Sequence, residues 1–166
     1  MPKLSAGILL YKQADQKLEL FLVHPGGPFW AKKDIGSWSV PKGEYLDGED
    51  PWAAARREFK EETGLEAPGG ARFELGEVKY SNKKLTVWAV QARADVRWVR
   101  SNMFTMEWPP GSGKKQDFPE VDRAGWFTPA YAKQKVVKGQ VELVERLCEK
   151  LGIPVEEADD FQSTLL

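Results

Sequence analysis

The chain has 166 residues, of which 42% are hydrophobic and 30% are charged, the balance expected of one globular domain. A formal net charge of -1 provides no overall attraction to nucleic acid polymers or to anionic membranes. The single cysteine, Cys148, excludes an intrachain disulfide and fits a reducing compartment. Because the apolar stretch at residues 6–11 is too short to cross a membrane, we expect a soluble cytoplasmic protein without a membrane partner.

The first part of the chain is typical of strands. Residues 3–11 are apolar and β-compatible, and residues 18–24 alternate leucines with other side chains, which predicts a strand with a buried face. A loop rich in glycine, proline and tryptophan follows at residues 25–36. It leads into a short predicted strand over residues 37–41.

A helix is predicted to begin after Asp50 and to end at Gly64. Asp50 is a favourable N-cap, Pro51 suits the first helical position, and Gly64 provides a stop. One face of this helix is apolar at i, i+3 and i+7 spacing and is expected to pack on a sheet: Trp52, Ala55 and Phe59.

The second half of the chain repeats the order of strands and then helix. Strand-like runs cover residues 72–81 and 84–95, a polar segment covers 101–118, and a short strand is predicted at 124–127. A helical region then runs from Thr128-Pro129 to Leu151, with an apolar stripe and a stop at Gly152.

This order of elements predicts an α/β or α+β sandwich with a mixed central sheet between helices. We expect a single domain over residues 1–152. The acidic segment at 153–166 is expected to be a flexible C-terminal tail.

Three glutamates on the first predicted helix have a spacing that suits binding of a metal ion. Glu58, Glu61 and Glu62 have i, i+3 and i+4 spacing and therefore lie within an arc of roughly 100°. Three neighbouring carboxylates repel one another unless a cation neutralises them, and Mg²⁺ prefers such oxygen ligands. The alternative for a lone acidic run is a solvated helix face, so the residues around the stripe decide between the two.

Residues 43–65 resemble the Nudix box of MutT-like hydrolases. Gly43 is followed after five residues by Glu49 and after seven more by Arg57-Glu58, and the pattern ends in Glu61-Glu62, Gly64 and an apolar Leu65. Every defined position of the box is filled. The resemblance implies a Nudix-type α/β/α sandwich in which the box forms a loop, a helix and a second loop.

The resemblance also implies roles for these residues. Glu58, Glu61 and Glu62 would be ligands of Mg²⁺, with Mn²⁺ as a possible substitute, and one of them would serve as a base. Arg57 and Glu49 would form a supporting pair, and the carbonyl of Lys42 or Gly43 would be a further metal contact. The implied reaction is attack of water on one phosphorus of a diphosphate, without a covalent intermediate.

Many members of this family use one more acidic residue from a later loop. Glu120 is the candidate here, as a ligand or as the base, because it shortly precedes the predicted strand at 124–127. Glu107 and Asp117 are rivals, and an ordinary surface acid is an equal alternative. The only histidine, His24, lies at a strand end and is expected to be a structural or surface residue rather than a catalytic one.

Residues 38–44 resemble the corresponding stretch of diadenosine tetraphosphate hydrolases and of diphosphoinositol phosphohydrolases, with Lys42 between a proline and a glycine. Trp30 and Lys32 would suit stacking on a base and contact with phosphate. Lys114 and Tyr80 are further candidates for the same pocket. A core plug, a strand face or solvated lysines would explain these side chains equally well.

We therefore expect a nucleotide or polyphosphate substrate, favouring a dinucleoside polyphosphate such as diadenosine tetraphosphate, bound by a monomer or a homodimer. Three alternatives stay open. One is a nucleoside triphosphate pyrophosphohydrolase that cleans the nucleotide pool, another is cleavage of an inositol pyrophosphate, and the third is a non-catalytic nucleotide-binding regulator with the same fold. Complete retention of the box glutamates favours an enzyme over the regulator.

Overall fold

The computed structural model describes residues 2–15, 17–92 and 100–154, together with the backbone of residues 163–165. The strands are β1 (Lys3–Ala14), β2 (Lys17–Pro25), β3 (Lys42–Glu44), β4 (Arg72–Tyr80), β5 (Lys83–Gln91), β6 (Met103–Glu107), β7 (Lys115–Pro119), β8 (Val121–Phe127) and β9 (Ser163–Leu165). The helices are α1 (Pro51–Thr63), α2 (Pro129–Lys135) and α3 (Val141–Leu151), with a 3₁₀ turn at Lys138–Gln140 before α3.

A mixed sheet lies at the centre of the molecule. Its strand order is β4-β5-β1-β2-β8-β9, and β3 also pairs with β1. The pair of β1 and β5 is parallel, whereas the other neighbouring strands are antiparallel. The predicted mixed central sheet is therefore confirmed.

Helices cover both faces of this sheet. Ala6, Ile8 and Leu10 of β1 pack in one buried cluster with α1, while Leu9 and Tyr11 pack in a second cluster with α2 and α3. This division follows from the period of two in a strand, which points successive side chains to opposite faces. The predicted α/β/α sandwich is confirmed, and its two cores hold α1 and the α2–α3 pair in place on the sheet.

Helix α1 begins and ends as predicted. The Asp50 carboxylate accepts a hydrogen bond from the Ala53 amide at 3.1 Å, and Gly64 ends the helix in the left-handed region at φ 76°. Its apolar side packs on the sheet, where Ala55 and Phe59 are fully buried and Trp52 is partly buried. This packing fixes the rotation of α1 about its own axis and so the direction of its polar side chains.

The short strand predicted over residues 37–41 is wrong. Isolated bridges join Ser39 to Val23 and Trp38 to Val136, and the regular strand begins only at Lys42, where β3 pairs with β1. Pro41 lacks an amide hydrogen, which interrupts regular pairing at that point. The consequence is that residues 38–41 run between β2 and the segment after α2.

The polar segment over 101–118 contains a hairpin that the sequence did not predict. Strands β6 and β7 pair from Met103–Pro119 to Glu107–Lys115 in a separate two-stranded sheet. No side chain of either strand is fully buried, and β7 lacks the alternation that predicts a half-buried strand. The hairpin lies between β5 and β8 in the chain, and Trp108 of its turn contacts Phe29.

The second helical region is not continuous. Helix α2 ends at Lys135, Val136 is extended at ψ 153°, and α3 begins at Val141 after the 3₁₀ turn. The Trp38 amide donates to the Lys135 carbonyl and the Val137 amide to the Trp38 carbonyl, each at 2.9 Å. These bonds hold residues 136–140 beside residues 38–40, where Gln140 is buried.

Some predictions lie at the limits of the described chain. Residues 93–95 of the second long strand and residues 155–162 of the expected tail lie outside the described residues, while the backbone of β9 pairs with β8. Cys148 is buried and unpaired with another cysteine. No helix in the described part of the chain has the length and apolarity needed to cross a membrane.

Candidate metal centre and substrate cavity

Four partly buried carboxylates lie close to one another beside α1. The carboxyl groups of Glu58 and Glu61 lie within hydrogen-bonding reach of each other. Glu62 is close enough to interact electrostatically with both Glu58 and Glu120, and Glu120 also interacts with Glu61. The backbone of Glu120 is held on both sides, because its amide donates to the Asn102 carbonyl at 2.8 Å and its carbonyl accepts from the Gly26 amide at 2.9 Å. We call Glu58, Glu61, Glu62 and Glu120 the acidic cluster.

The pKa values of three members of the acidic cluster are raised. Burial, with a contribution from Glu61, raises the pKa of Glu58 to about 7. Burial raises the pKa of Glu62 to about 8, although Lys42 opposes the change. Burial, followed by the charge of Glu61, also raises the pKa of Glu120. The raised pKa values of these three groups mean that their surroundings disfavour the charged carboxylates.

This donor set fits a hard divalent cation. All four side chains offer carboxylate oxygens, the ligands that Mg²⁺ and Mn²⁺ prefer, and a cation would remove the repulsion between them. Among the described residues, no three acidic, histidine or cysteine side chains already form a complete metal-binding group. Binding must therefore draw the carboxylates of the acidic cluster together by side-chain rotation.

Gly43 allows the loop before α1 to approach the acidic cluster. A Cβ atom built on Gly43 would lie 2.1 Å from the carboxyl carbon of Glu58, a separation that no side chain tolerates. Gly43 is paired with Ala6 of β1, so the backbone is not free to retreat. The glycine thus lets the backbone of the loop and the Glu58 carboxylate approach each other closely.

Substitution of Gly43 by alanine is expected to lower kcat/KM at least about tenfold, because the added methyl group displaces the Glu58 carboxylate. Gly69→Ala is the matched control, since a Cβ on Gly69 meets nothing within 4 Å. Steady-state kinetics on both variants, with thermal unfolding to verify the fold, make the comparison. Equal activity of the two variants would show that catalysis does not depend on the position of the Glu58 carboxylate beside Gly43.

Arg57 joins the box loop to the helix. Its guanidinium pairs with the Glu49 carboxylate and reaches the Glu44 carbonyl and the Glu58 carboxylate, both at 3.4 Å. Glu61 lies 4.0 Å from the same guanidinium. Arg57 therefore orients two members of the acidic cluster while its pairing with Glu49 fixes the loop that follows β3.

A cavity of about 620 Å³ begins at the acidic cluster. Glu62 and Glu120 line one part of it, and three residues singled out in the sequence, Trp30, Lys42 and Tyr80, line other parts. The amide of Lys42 also donates to the Glu62 carboxylate at 3.0 Å. The volume is sufficient for a nucleotide, which needs a few hundred cubic ångströms.

The cavity has further lining residues that the sequence did not reveal. Lys83 and Lys138 add two cations to the wall, and the buried Gln140 lies on the same wall beside Tyr80. These residues come from β5 and from the 3₁₀ turn before α3, which are far from the box in sequence. The helical pattern around Gln140 contained no signal for a buried amide.

Four other candidates lie elsewhere. The lining of this cavity includes neither Lys32 nor Lys114, so a role for them in substrate binding stays a prediction. Glu107 accepts a hydrogen bond from the Gly111 amide, and Asp117 accepts one from the Thr105 hydroxyl. Both rivals of Glu120 are thus engaged within the β6–β7 hairpin.

The loop at residues 25–36 carries Trp30 to the edge of the cavity. The Phe29 ring packs edge to face on Trp108 of the β6–β7 hairpin, with 5.4 Å between the ring centroids. The Lys33 ammonium lies 4.9 Å from the Trp30 ring centroid. His24 is fully buried and its two ring nitrogens lie 2.7 Å from the Asp122 carboxylate and 2.6 Å from the Lys33 carbonyl. His24 therefore ties the loop to β8, in agreement with the structural role expected for it.

A second cavity, of about 400 Å³, borders the other side of the box helix. Glu61 lines it together with Arg57, Lys60, Arg100, Ser101 and Asn102. Lys60 is paired with Glu66 at 2.7 Å, whereas Arg100 is exposed and no carboxylate of the described residues forms an ion pair with it. The acidic cluster consequently borders two cavities, each of which carries cationic side chains.

Comparison with known proteins is consistent with this geometry. Residues 1–147 match the NUDIX domain family. The chain is 36% identical over 61 residues to the asymmetrical bis(5'-nucleosyl)-tetraphosphatase of Caenorhabditis elegans and 57% identical over 30 residues to Nudix hydrolase 25 of Arabidopsis thaliana. These stretches cover 37% and 18% of this chain, but only 40% and 17% of the respective relatives.

Solved structures share the fold over most of the chain. A binary complex of the C. elegans Ap4A hydrolase has a TM-score of 0.52 at 21% identity, covering 90% of this chain and 98% of that one. The NUDIX domain of Shewanella oneidensis NrtR, complexed with ADP ribose, has a TM-score of 0.59 at 18% identity, covering 91% and 89%. At these identities the likeness concerns the fold, and the family match supplies the assignment: the protein is a member of the Nudix hydrolase family.

Proposed function

We propose that the protein hydrolyses a diphosphate linkage in a nucleotide-type substrate. The acidic cluster at the end of the larger cavity carries this proposal, because it places carboxylates beside a wall with three lysines, Lys42, Lys83 and Lys138. Carboxylates alone would repel a diphosphate, so the arrangement is useful only when a divalent cation lies between the two.

The site residues would have different roles in this reaction. Glu58, Glu61, Glu62 and Glu120 would hold Mg²⁺, with Mn²⁺ as a substitute. When bound, the cation supplies Lewis-acid stabilisation of the diphosphate oxygens. Arg57 keeps Glu58 and Glu61 in position, Lys42 orients Glu62, and one carboxylate of the acidic cluster accepts the proton that water loses as it attacks phosphorus.

A dinucleoside polyphosphate such as diadenosine tetraphosphate is the substrate we favour. The acidic cluster borders two cavities, so a substrate with a nucleoside on each side of the cleaved linkage could occupy both. The relative named an asymmetrical bis(5'-nucleosyl)-tetraphosphatase supports this choice, although it matches only 37% of this chain. A nucleoside triphosphate would occupy one cavity and leave the other unfilled.

Product analysis tests this choice. Incubation of diadenosine tetraphosphate with Mg²⁺ is expected to yield a nucleoside triphosphate and a monophosphate, which ion-exchange chromatography separates. A pool-cleaning enzyme would instead release pyrophosphate and a monophosphate from single nucleoside triphosphates. Tight nucleotide binding without turnover of any nucleotide tested would contradict the hydrolase and indicate the non-catalytic regulator.

Arg100 distinguishes substrates that fill two cavities from those that fill one. Arg100→Ala is expected to raise KM for diadenosine tetraphosphate about tenfold and to leave KM for ATP unchanged within about twofold, because only the longer substrate reaches the second cavity. Lys150→Ala, which removes a cation that lines neither cavity, is the control. Equal changes for both substrates would contradict binding across the two cavities.

A further inference from the structure

The orientation of the Gln140 side chain is determined by its hydrogen bonds. Its Oε1 atom accepts from the Val40 amide at 3.0 Å, and its Nε2 atom donates to the Ser39 hydroxyl at 2.9 Å and to the Tyr80 hydroxyl at 2.8 Å. Ser39 donates its own hydrogen to the Val40 carbonyl at 2.7 Å, so toward Gln140 it can only accept. A flipped amide would place Oε1 against Ser39 and Nε2 against a backbone amide, losing these bonds.

This network leaves one hydrogen unassigned. Both hydrogens of the Gln140 amide nitrogen are used, one on Ser39 and one on Tyr80. Tyr80 therefore acts as the acceptor in its bond with Gln140, and no described residue accepts the hydrogen of its hydroxyl. Burial raises the pKa of Tyr80, so the hydroxyl keeps that hydrogen at neutral pH. Tyr80 lines the larger cavity, and the hydrogen is available to a ligand there.

Packing restricts the Tyr80 ring as well as its hydroxyl. A Cβ atom on Gly139 would lie 2.3 Å from Cγ of Tyr80, so the 3₁₀ turn that carries Gln140 rests directly against the ring. Lys83 and Lys138 line the same cavity, where their positive charges would attract an anionic group of a ligand toward the Tyr80 hydroxyl. A phosphate or other anionic oxygen suits a neutral donor flanked by two cations.

We propose that Gln140 is a positioning residue, which holds the Tyr80 hydroxyl as a hydrogen-bond donor to an anionic oxygen of the substrate in the larger cavity. This inference rests on the proposed function and adds a residue outside the Nudix box. Gln140 is fully buried and acts through Tyr80, while Tyr80 makes the contact.

A double-mutant cycle tests the inference. The variants are Tyr80→Phe, Gln140→Glu and their combination, and the probe is adenosine 5'-(α,β-methylene)diphosphate with Mg²⁺, whose bridge cannot be hydrolysed. Phenylalanine removes the donor, whereas glutamate offers an acceptor to the Tyr80 hydroxyl and diverts its hydrogen from the ligand. Each single variant is expected to raise the Kd of the probe, measured by calorimetry, about tenfold. The combined variant is expected to raise it no more than Gln140→Glu alone.

Additive losses would overturn the inference, because a merely structural Gln140, or repulsion by a new charge, would act equally without the Tyr80 hydroxyl. Unchanged affinity of either single variant, or no binding of the probe by the wild type, would overturn it too. If Gln140→Glu does not fold, Gly139→Ala takes its place: it must push the Tyr80 ring aside and is expected to match the loss in Tyr80→Phe. Gly139→Ala with wild-type affinity would contradict the inference.

Failure of this inference is separable from failure of the proposed function. Turnover of nucleotides by the wild type tests the proposed function, while probe affinity requires no turnover. An active enzyme with unaltered affinities in the variants would refute the role of Gln140 alone. An inactive wild type that shows the expected cycle would refute the hydrolase and support the role of Gln140 in binding.

Discussion

Glutamine in place of Glu61 or of Glu62 is expected to lower Mg²⁺-dependent kcat about a thousandfold, equivalent to about 4 kcal/mol of transition-state stabilisation. Each change keeps the shape of the side chain but removes a negative charge from the group that would hold the cation. Both residues lie on α1, whose buried apolar side chains are unchanged, and glutamine has the same size as glutamate, so the fold should persist. Phosphate released from product by a coupled phosphatase measures the rate.

Glu66→Gln is the matched control for these variants. Glu66 follows the same helix, but it pairs only with Lys60 among the described residues and lines neither cavity. Wild-type activity is expected for this variant. Wild-type rates in both Glu61→Gln and Glu62→Gln would remove the acidic cluster from the mechanism.

Glu62→Gln is also expected to stabilise the metal-free protein at alkaline pH, by roughly 5 kcal/mol in the free energy of unfolding. The pKa of Glu62 is raised from its ordinary value of 4.5 to about 8 in the folded protein. The folded state therefore favours the protonated form, and the unfolding free energy of the wild type falls as pH rises from about 4.5 to about 8. Glutamine cannot ionise, and its Oε1 can still accept the Lys42 amide hydrogen.

Urea unfolding in EDTA at pH 5 and at pH 9 measures this effect. The difference between Glu62→Gln and wild type is expected to be small at pH 5 and largest at pH 9. Glu66→Gln should show no gain at pH 9, because Lys60 lowers the pKa of Glu66. Saturating Mg²⁺ should narrow the difference, since only the wild type retains the full ligand set. An equal difference at both pH values would contradict ionisation of Glu62 as the cause.

A gain in stability accompanied by a loss of turnover would have one origin. The carboxylates that the reaction needs are buried and held close together, and the fold bears the cost of charging them until a cation binds. Glu58 and Glu120 also have raised pKa values for the same reason. The acidic cluster is therefore a site where local stability and catalytic use conflict.

Local spacing was enough to predict the parts of the site that one helix supplies. Asp50, Pro51 and Gly64 determine where α1 begins and ends, and period 3.6 then places Glu58, Glu61 and Glu62 within one arc, with Glu62 next to the buried Phe59. The alternation of side chains in β1 and β2 likewise predicted buried strands. These features depend on neighbours within about one helical turn, which the sequence displays directly.

Local patterns failed where pairing partners are distant. No side chain of the β6–β7 hairpin is fully buried, and β7 lacks alternation. The helix expected up to Leu151 is interrupted because residues 136–140 bond to residues 38–40 instead. Pro41 displaces β3 by disrupting regular pairing. In each case a tertiary contact outweighed the local preference.

By itself, the sequence determined the family, the α/β/α class and the three-glutamate stripe, because spacing along a single chain segment defines all of them. Only the tertiary structure brought Glu120, Tyr80 and Gln140 to one cavity, since they come from three segments separated by 40 and 20 residues. The physical reason is that side chains far apart in sequence meet only when the sheet and its two helix layers pack. Contacts of that kind decide what the cavity accepts, whereas local spacing decides what the acidic cluster can hold.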